Sequence, residues 1–247
     1  MELNMNNIPK RKRSGTLYEY PSDIVKSRDA QLMFGGTKKA KRTIKNDDDD
    51  EDEPGIDFSK IFKRGSPDDN SYITDNNIYF NDDITMETIN KLNKQLRTLD
   101  AKLTIMSNNL KIEPPPIILH ITSNGGSVFA AFRAINCMKS LSVEVHTVVD
   151  GYAASAATLI SVCGDKRYIN PYSNMLIHEL RSATSWNKMS ELEDEIQNMK
   201  HVMNQIKDIY VEHTNLSRSE LNKLLKRDMD WDVNQCITSG LVDSLTP

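Results

Sequence analysis

Segments with strand character alternate with segments of helical character, and this alternation limits the fold more than any other feature of the chain. The apolar runs IILHI (117–121) and VEVHTVV (143–149) favour strands. Each is followed by a helical pattern, FAAFRAINCMKSL (129–141) and GYAASAATLISVC (151–163). Such alternation is typical of a largely parallel sheet whose loops after the strand ends carry functional groups. We therefore predict an α/β domain over residues 71–247.

The other elements of this domain follow from hydrophobic spacing and capping signals. A long helix predicted over 188–213 has an apolar stripe, and Ser190–Glu193 is its predicted capping box. Ser217–Glu220 is a second capping signature. The remaining predictions are a strand or strand pair over 72–80 with a turn at 75–77, a helix over 85–100, strands over 167–170 and 174–180, and a loop over 228–232.

Residues 1–70 have a different composition. The basic blocks PKRKR (9–13) and KKAKR (38–42) precede the acidic run DDDDEDE (47–53), and branched apolar residues are few. Such a segment buries too little surface to offset its ordering entropy, so we predict a disordered N-terminal arm with a linker over 54–70. The basic blocks are interpreted either as part of a solvated tail or as an import-like signal.

Charge and cysteine content exclude several classes of function. The net charge of −4 gives no general attraction to nucleic acid or anionic membranes, and no apolar run reaches the roughly 18 residues of a spanning helix. Without an apolar secretion segment the chain is expected to be intracellular, in the cytoplasm, with the nucleus or an organelle as alternatives. Cys137, Cys163 and Cys236 are widely spaced, so we expect buried apolar residues, no metal site and no cofactor.

Two loops between a strand and a helix hold candidate functional residues. In TSNGGSV (122–128), Gly125 and Gly126 permit unusual backbone conformations where the next helix leaves N–H groups unpaired. This turn could be an oxyanion site, an anion-binding turn or simply a tight turn. In GYAAS (151–155), Ser155 is either a nucleophile or a small residue for helix packing.

A serine nucleophile needs a histidine base and a carboxylate that orients it. His178, in NMLIHEL, follows a predicted strand and can project toward a neighbouring loop. We expect His120 and His146 to be structural and His201 and His213 to be solvated. Periodicity does not choose among the three carboxylates of DMDWD, which are Asp228, Asp230 and Asp232.

The order of five sequence motifs along the chain selects among these candidates. TSNGGSV, GYAASAA, NMLIHEL, LKRDMDWD and SGLVDSL together resemble the proteolytic subunit of the Clp protease, the ClpP family of serine peptidases, over about residues 72–245. The resemblance implies the spiral of β-β-α units shared by ClpP and crotonase folds, with a long projecting helix. The frequent Asn and Lys residues suit a divergent viral or organellar member.

The resemblance also implies roles for individual residues. Ser155 matches the nucleophile and His178 the base. Counting 12 positions back from Gly240 selects Asp228 as the orienting carboxylate, with Asp230 as the alternative. The backbone N–H groups of Gly126 and Ala156 match the oxyanion donors.

The expected function is that of an ATP-dependent Clp-type serine endopeptidase subunit cleaving unfolded polypeptides inside an oligomeric chamber. By resemblance, two heptameric rings stack through the 188–213 helix, and an AAA+ unfoldase supplies the ATP use. The chain itself lacks a phosphate-binding Gly-rich loop ending in Lys-Ser/Thr.

Some positions depart from the family pattern. Asn124 stands where proline is usual, Glu179–Leu180 where Gln-Pro is usual, and RSATSW (181–186) where a Gly-rich segment usually binds the substrate strand. Altered substrate binding is therefore expected. The alternatives are a catalytically silent ring subunit, a specialised processing peptidase and, more distantly, a crotonase-fold acyl-CoA enzyme, which does not need the Ser-His-Asp set.

Overall fold

A computed structural model describes residues 71–181 and 188–247. The predicted arm and linker over 1–70, and most of RSATSW, lie outside the described residues. The elements in chain order are β1 (Tyr72–Thr74), β2 (Asn77–Phe80), α1 (Met86–Leu110), β3 (Ile117–Ser123), α2 (Val128–Lys139), β4 (Val145–Ala154), α3 (Ala156–Val162), β5 (Lys166–Ile169), β6 (Asn174–Leu176), α4 (Met189–His213), α5 (Arg218–Leu224), β7 (Asp230–Trp231), α6 (Val233–Thr238) and β8 (Ser244–Leu245).

The strands form a single, mostly parallel sheet. Its order is β1-β2-β3-β4-β5-β8, with antiparallel pairing only between β1 and β2 on this path. The carboxyl-terminal part of β4 leaves β5 and pairs with β6, which in turn pairs antiparallel with β7. This confirms the predicted α/β fold and its repeated strand and helix units.

The core lies between the sheet and the helices. In β3, buried and half-buried side chains alternate, whereas Val145 to Val149 in β4 are all buried. Continuous burial is expected of a central strand that is covered on both faces. The helix α1 buries one stripe and ends at Leu110, ten residues beyond the predicted end, followed by a left-handed cap at Lys111.

The strand β4 is longer than the sequence predicted, because the predicted strand ends at Val149 and GYAAS (151–155) is assigned to the turn before the helix. The strand continues to Ala154 because Tyr152, Ala153 and Ala154 pair with β6. The alanines suit either structure, and this pairing decides the outcome. Ser155 is consequently the single residue that separates β4 from α3.

The long helix α4 begins at Met189, so the predicted capping box at Ser190 is wrong. Instead, the Lys188 N–H donates to the Glu191 carboxylate over 3.1 Å. No residue from Met189 to His201 is buried, whereas Val202, Ile206, Tyr210 and His213 are. The first half of α4 therefore projects from the core. The expectation that His213 is solvated is also wrong, because its side chain packs at the anchored end.

Two other predictions change near the carboxyl terminus. The strand predicted over 174–180 ends at Leu176, since the next part of the chain bonds to a helix end, with the Glu179 N–H donating to Leu225 O over 2.8 Å. The predicted loop over 228–232 contains β7. The capping box at Ser217 and Glu220 is confirmed.

The cysteine predictions are confirmed for packing, because Cys137, Cys163 and Cys236 are all buried. Burial raises the pKa of the Cys236 thiol to about 12, which removes thiolate reactivity. Within 71–181 and 188–247, no three or more His, Cys, Asp or Glu side chains cluster as metal ligands, and no helix is long and apolar enough to cross a membrane.

Candidate active site

Ser155 has a backbone conformation that side-chain-bearing residues rarely adopt. Its φ is 55° and its ψ is −125°, between the end of β4 and the first turn of α3. A left-handed conformation of this kind costs a non-glycine residue about 1–3 kcal/mol and persists only where the surroundings impose it. Here the Ser155 N–H is held by Leu176 O, at the end of β6, over 2.7 Å.

The Gly125–Gly126 loop passes directly against this turn. A Cβ on Gly125, whose φ is 95°, would lie 2.6 Å from Ala154 O and 2.7 Å from Ser155 Cβ. The loop is fixed on its other side by Ile84, whose N–H donates to Gly125 O and whose carbonyl accepts from Ser127, both over 2.7 Å. Only glycine permits so close an approach of the two loops.

A cavity of about 240 Å³ opens beside this turn. Four of the predicted site residues line it, namely Gly126, Ser155, Ala156 and His178. The first N–H groups of α3 have no partner within the helix, so Ala156 can present its N–H to a ligand. The structure thus gathers the predicted nucleophile, base and oxyanion donors around one space.

His178 lies two residues beyond β6 and is half-buried. Its Nδ1 is 2.6 Å from Glu179 O, and because a carbonyl only accepts, Nδ1 carries the proton. In the neutral ring, Nε2 is then unprotonated and available as a base. Over the described residues, no hydrogen bond joins the Ser155 hydroxyl to this ring.

The three candidate carboxylates have three different partners. Asp228 forms an ion pair with Arg181, a cavity-lining residue, while Asp228 itself does not line the cavity. Asp230 accepts from the Tyr152 hydroxyl over 2.9 Å, and Asp232 caps α6 by accepting from the Gln235 N–H over 2.8 Å. Burial, followed by the contact with Asp230, raises the pKa of Tyr152. In this arrangement none of the three bonds to His178.

Sequence reasoning missed two residues that contact the Ser155 turn. Thr158 in α3 and Tyr210 in α4 are almost fully buried, and their hydroxyl oxygens are 2.6 Å apart. Tyr210 was recognisable only as one of several apolar stripe positions, and Thr158 follows an alanine run without any signal of its own. Arg181 was visible only as a departure from the usual Gly-rich segment.

A hydroxyl on a strained turn, an imidazole with a free nitrogen and two neighbouring backbone N–H groups can together perform acyl transfer. Ser155 and His178 share one cavity, but His178 bonds to Glu179 O and Asp228 pairs with Arg181. A Ser-His-Asp arrangement at this site would therefore require movement of the side chains of His178, which is half-buried, and Asp228, which is exposed.

Comparison with known proteins identifies the family to which the chain belongs. The family model described as Clp protease matches residues 68–247. The proteolytic subunit 1 of the ATP-dependent Clp protease of Chlamydia muridarum is 33% identical over 133 residues, which are 53% of this chain and 69% of the relative. The corresponding subunit of Chlamydia pneumoniae is 30% identical over 171 residues, covering 68% of this chain and 85% of the relative. That of Chlamydia trachomatis serovar D is 29% identical over 171 residues, or 68% and 84% of the two chains. The chain belongs to the Clp protease family.

Proposed function

We propose that the chain is a serine-type endopeptidase subunit that cleaves unfolded polypeptides. The observation that carries this proposal is the position of Ser155, held at φ 55° on the wall of a cavity that also contains His178, Gly126 and Ala156. A helix-packing serine has no need of that strained conformation. Membership of a protease family supports the same conclusion.

In the proposed mechanism, Ser155 Oγ attacks the carbonyl carbon of a peptide bond while its proton passes to His178 Nε2. The N–H groups of Gly126 and Ala156 stabilise the negative charge that develops on the carbonyl oxygen. His178 then gives the proton to the departing amine, and the carbon–nitrogen bond breaks. Water, deprotonated by His178, hydrolyses the resulting ester and restores the Ser155 hydroxyl. The proposed chemistry needs no metal or cofactor.

Asp228 is proposed to orient His178 once it leaves Arg181. Its carboxylate would replace Glu179 O as the acceptor of the hydrogen bond that the Nδ1–H group donates. Because the exchange replaces one acceptor by another at the same nitrogen, the tautomer with a basic Nε2 is kept. The carboxylate would also stabilise the imidazolium formed during attack.

We also propose that the chain works in two stacked heptameric rings with an ATP-driven AAA+ unfoldase. The chlamydial relatives bear the description ATP-dependent, and in this chain the first half of α4 has no buried residue to hold it against its own domain. A projecting helix with exposed Met189 and Ile196 is suited to contact another ring. ATP hydrolysis would belong to the unfoldase.

One observation favours a second candidate, a catalytically silent ring subunit. Asp228 is engaged with Arg181, and the His178 ring therefore lacks a carboxylate partner among the described residues. A permanent arrangement of this kind would leave the imidazolium unsupported and lower turnover by several orders of magnitude, about 10⁴-fold where the carboxylate function is lost in a serine protease.

Labelling with a fluorophosphonate probe separates the two candidates. The assembled wild-type protein should be labelled, Ser155→Ala should not, and Ser140→Ala, which removes an exposed serine at the end of α2, should be labelled normally. An unlabelled wild-type ring would favour the silent subunit. Labelling that survives Ser155→Ala would show that another residue is the nucleophile.

A further inference from the structure

A chain of hydroxyl groups connects the anchored end of α4 to the turn that holds Ser155. The Thr158 hydroxyl oxygen is 2.6 Å from both Ser155 O and the Tyr210 hydroxyl oxygen. The Thr158 side chain has no exposed surface and Tyr210 is 2% exposed, so water does not compete for these bonds.

The direction of this chain is fixed by counting protons. Ser155 O is a carbonyl and only accepts, so Thr158 must use its single hydroxyl proton there. The bond between the two hydroxyls must then be donated by Tyr210. Burial raises the pKa of the Tyr210 hydroxyl well above its usual value, which keeps this donor protonated.

The carbonyl at the end of this chain belongs to the same peptide unit as the Ala156 N–H. That unit is planar, and in a trans peptide the C=O and N–H groups point in opposite directions. Ser155 O also accepts from the Thr158 N–H over 3.0 Å. Two bonds that pull the carbonyl inward therefore hold the Ala156 N–H toward the cavity, and hydrogen bonding at the oxygen also polarises the N–H.

We propose that Thr158 and Tyr210 are positioning residues, which orient the Ala156 N–H as an oxyanion donor through the Ser155 carbonyl. The inference rests on the proposed function, in which Ala156 stabilises the oxyanion. It also makes α4 a contributor to the site: the helix whose first half projects from the domain bonds to the nucleophile turn through its second half.

The test is steady-state kinetics on a short fluorogenic peptide with the assembled full chain. Removing a whole oxyanion donor costs about 10²–10³ in kcat, so misorienting one by Tyr210→Phe should lower kcat about tenfold and leave KM within about twofold. Thr158→Val should lower kcat at least as much, and Thr158→Ser, which keeps the hydroxyl, should restore it. The affinity of a peptide aldehyde, which forms a tetrahedral adduct, should fall by the same factor as kcat.

The double variant that combines Thr158→Val with Tyr210→Phe gives the most decisive test. Because Tyr210 acts through Thr158, adding Tyr210→Phe to Thr158→Val should cause no further loss. Tyr168→Phe is the matched control, since it removes a hydroxyl from β5 outside the cavity and should leave kcat unchanged. An unchanged kcat in Tyr210→Phe, additive losses in the double variant, or equal losses in Thr158→Ser and Thr158→Val would each overturn the inference.

Failure of the proposed function has a different signature. If Ser155 is not labelled in the wild type, peptidase chemistry at this residue fails, whatever Tyr210 does. Hydrogen exchange of the segment around Ala156 then still tests the positioning. Exchange should be faster in Tyr210→Phe and Thr158→Val than in the wild type or Tyr168→Phe, and equal exchange in all four would overturn the proposal.

Discussion

At the scale of single residues, the Ser155 turn depends on a glycine that lies in another loop. Gly125 and Gly151 both have positive φ, at 95° and 98°, and so carry similar backbone preferences. Their surroundings differ. A Cβ at Gly151 would find no atom closer than 4.0 Å, whereas a Cβ at Gly125 would overlap the Ser155 turn. Substituting each of the two glycines therefore separates the effect of backbone strain from the effect of the close approach between loops.

We expect Gly125→Ala to abolish probe labelling of Ser155 almost completely, because the new methyl group displaces the turn from the cavity. Gly151→Ala should lose about 1 kcal/mol of stability from its positive φ and keep most of its labelling. Labelling rates and urea unfolding of both variants check this. Equal labelling rates in the two variants would show that the Gly125 contact does not position Ser155.

In the proposed mechanism, Arg181 would compete with His178 for the Asp228 carboxylate. Both side chains of the ion pair are largely exposed, at 70% and 56%, and an exposed pair is worth at most about 1 kcal/mol. Arg181→Gln should therefore raise peptidase activity by up to about fivefold. Added salt, which screens the pair, should activate the wild type and leave the variant unaffected.

The control for this prediction is Arg218→Gln, which removes an exposed ion pair with Asp208 elsewhere on the surface. Its activity and salt response should match those of the wild type. A fall in activity in Arg181→Gln would show instead that Arg181 supports catalysis or binds the substrate.

At the scale of secondary structure, periodicity predicted which segments form strands and helices but not where several of them end. The β4 strand runs through Ala154 because β6, distant in sequence, pairs with its last three residues. The hydroxyl chain through Thr158 and Tyr210 was equally invisible, since it depends on how α4 packs on α3. The order of motifs predicted a shared cavity for Ser155 and His178, whereas the ion pair of Asp228 depends on side-chain geometry that motifs do not encode.

Arg167 joins three elements that periodicity treats separately. From β5, its guanidinium binds Asp243 and donates to the carbonyls of His213, at the end of α4, and Gly240. Its side chain is only 13% exposed. This half-buried cation therefore satisfies two helix-end carbonyls and attaches the carboxyl-terminal strand.

We expect Arg167→Met to lower the free energy of unfolding by about 2–3 kcal/mol, because the two carbonyls and Asp243 lose their shared donor. Arg97→Met, at an exposed position of α1, should change it by less than about 0.5 kcal/mol. Urea unfolding followed by circular dichroism measures both. Equal midpoints for the two variants would show that the Arg167 contacts contribute little.

At the scale of the whole molecule, the described residues of the domain bury none of the side chains in the first half of α4. Met189 is 74% exposed and Ile196 is 50% exposed, in a stripe that continues into the half-buried Met203 and the buried Ile206. An amphipathic helix is stable in water when its apolar face packs against something. In the proposed assembly, the corresponding helix of the opposite ring provides that surface.

We therefore expect Ile196→Glu to separate the stacked rings, because the change buries an unpaired carboxylate in the proposed contact. Asn198→Glu adds the same charge about 200° around the helix, away from the stripe, and should leave assembly intact. Sedimentation velocity should show double rings for the wild type and Asn198→Glu, and species of half that mass or less for Ile196→Glu. Since Tyr210 anchors the same helix at the Ser155 turn, separation of the rings should also slow probe labelling. Intact double rings in Ile196→Glu would place the contact between rings elsewhere, and a wild-type protein that sediments as a monomer at every concentration would rule out the chamber while leaving the chemistry of Ser155 open to its own test.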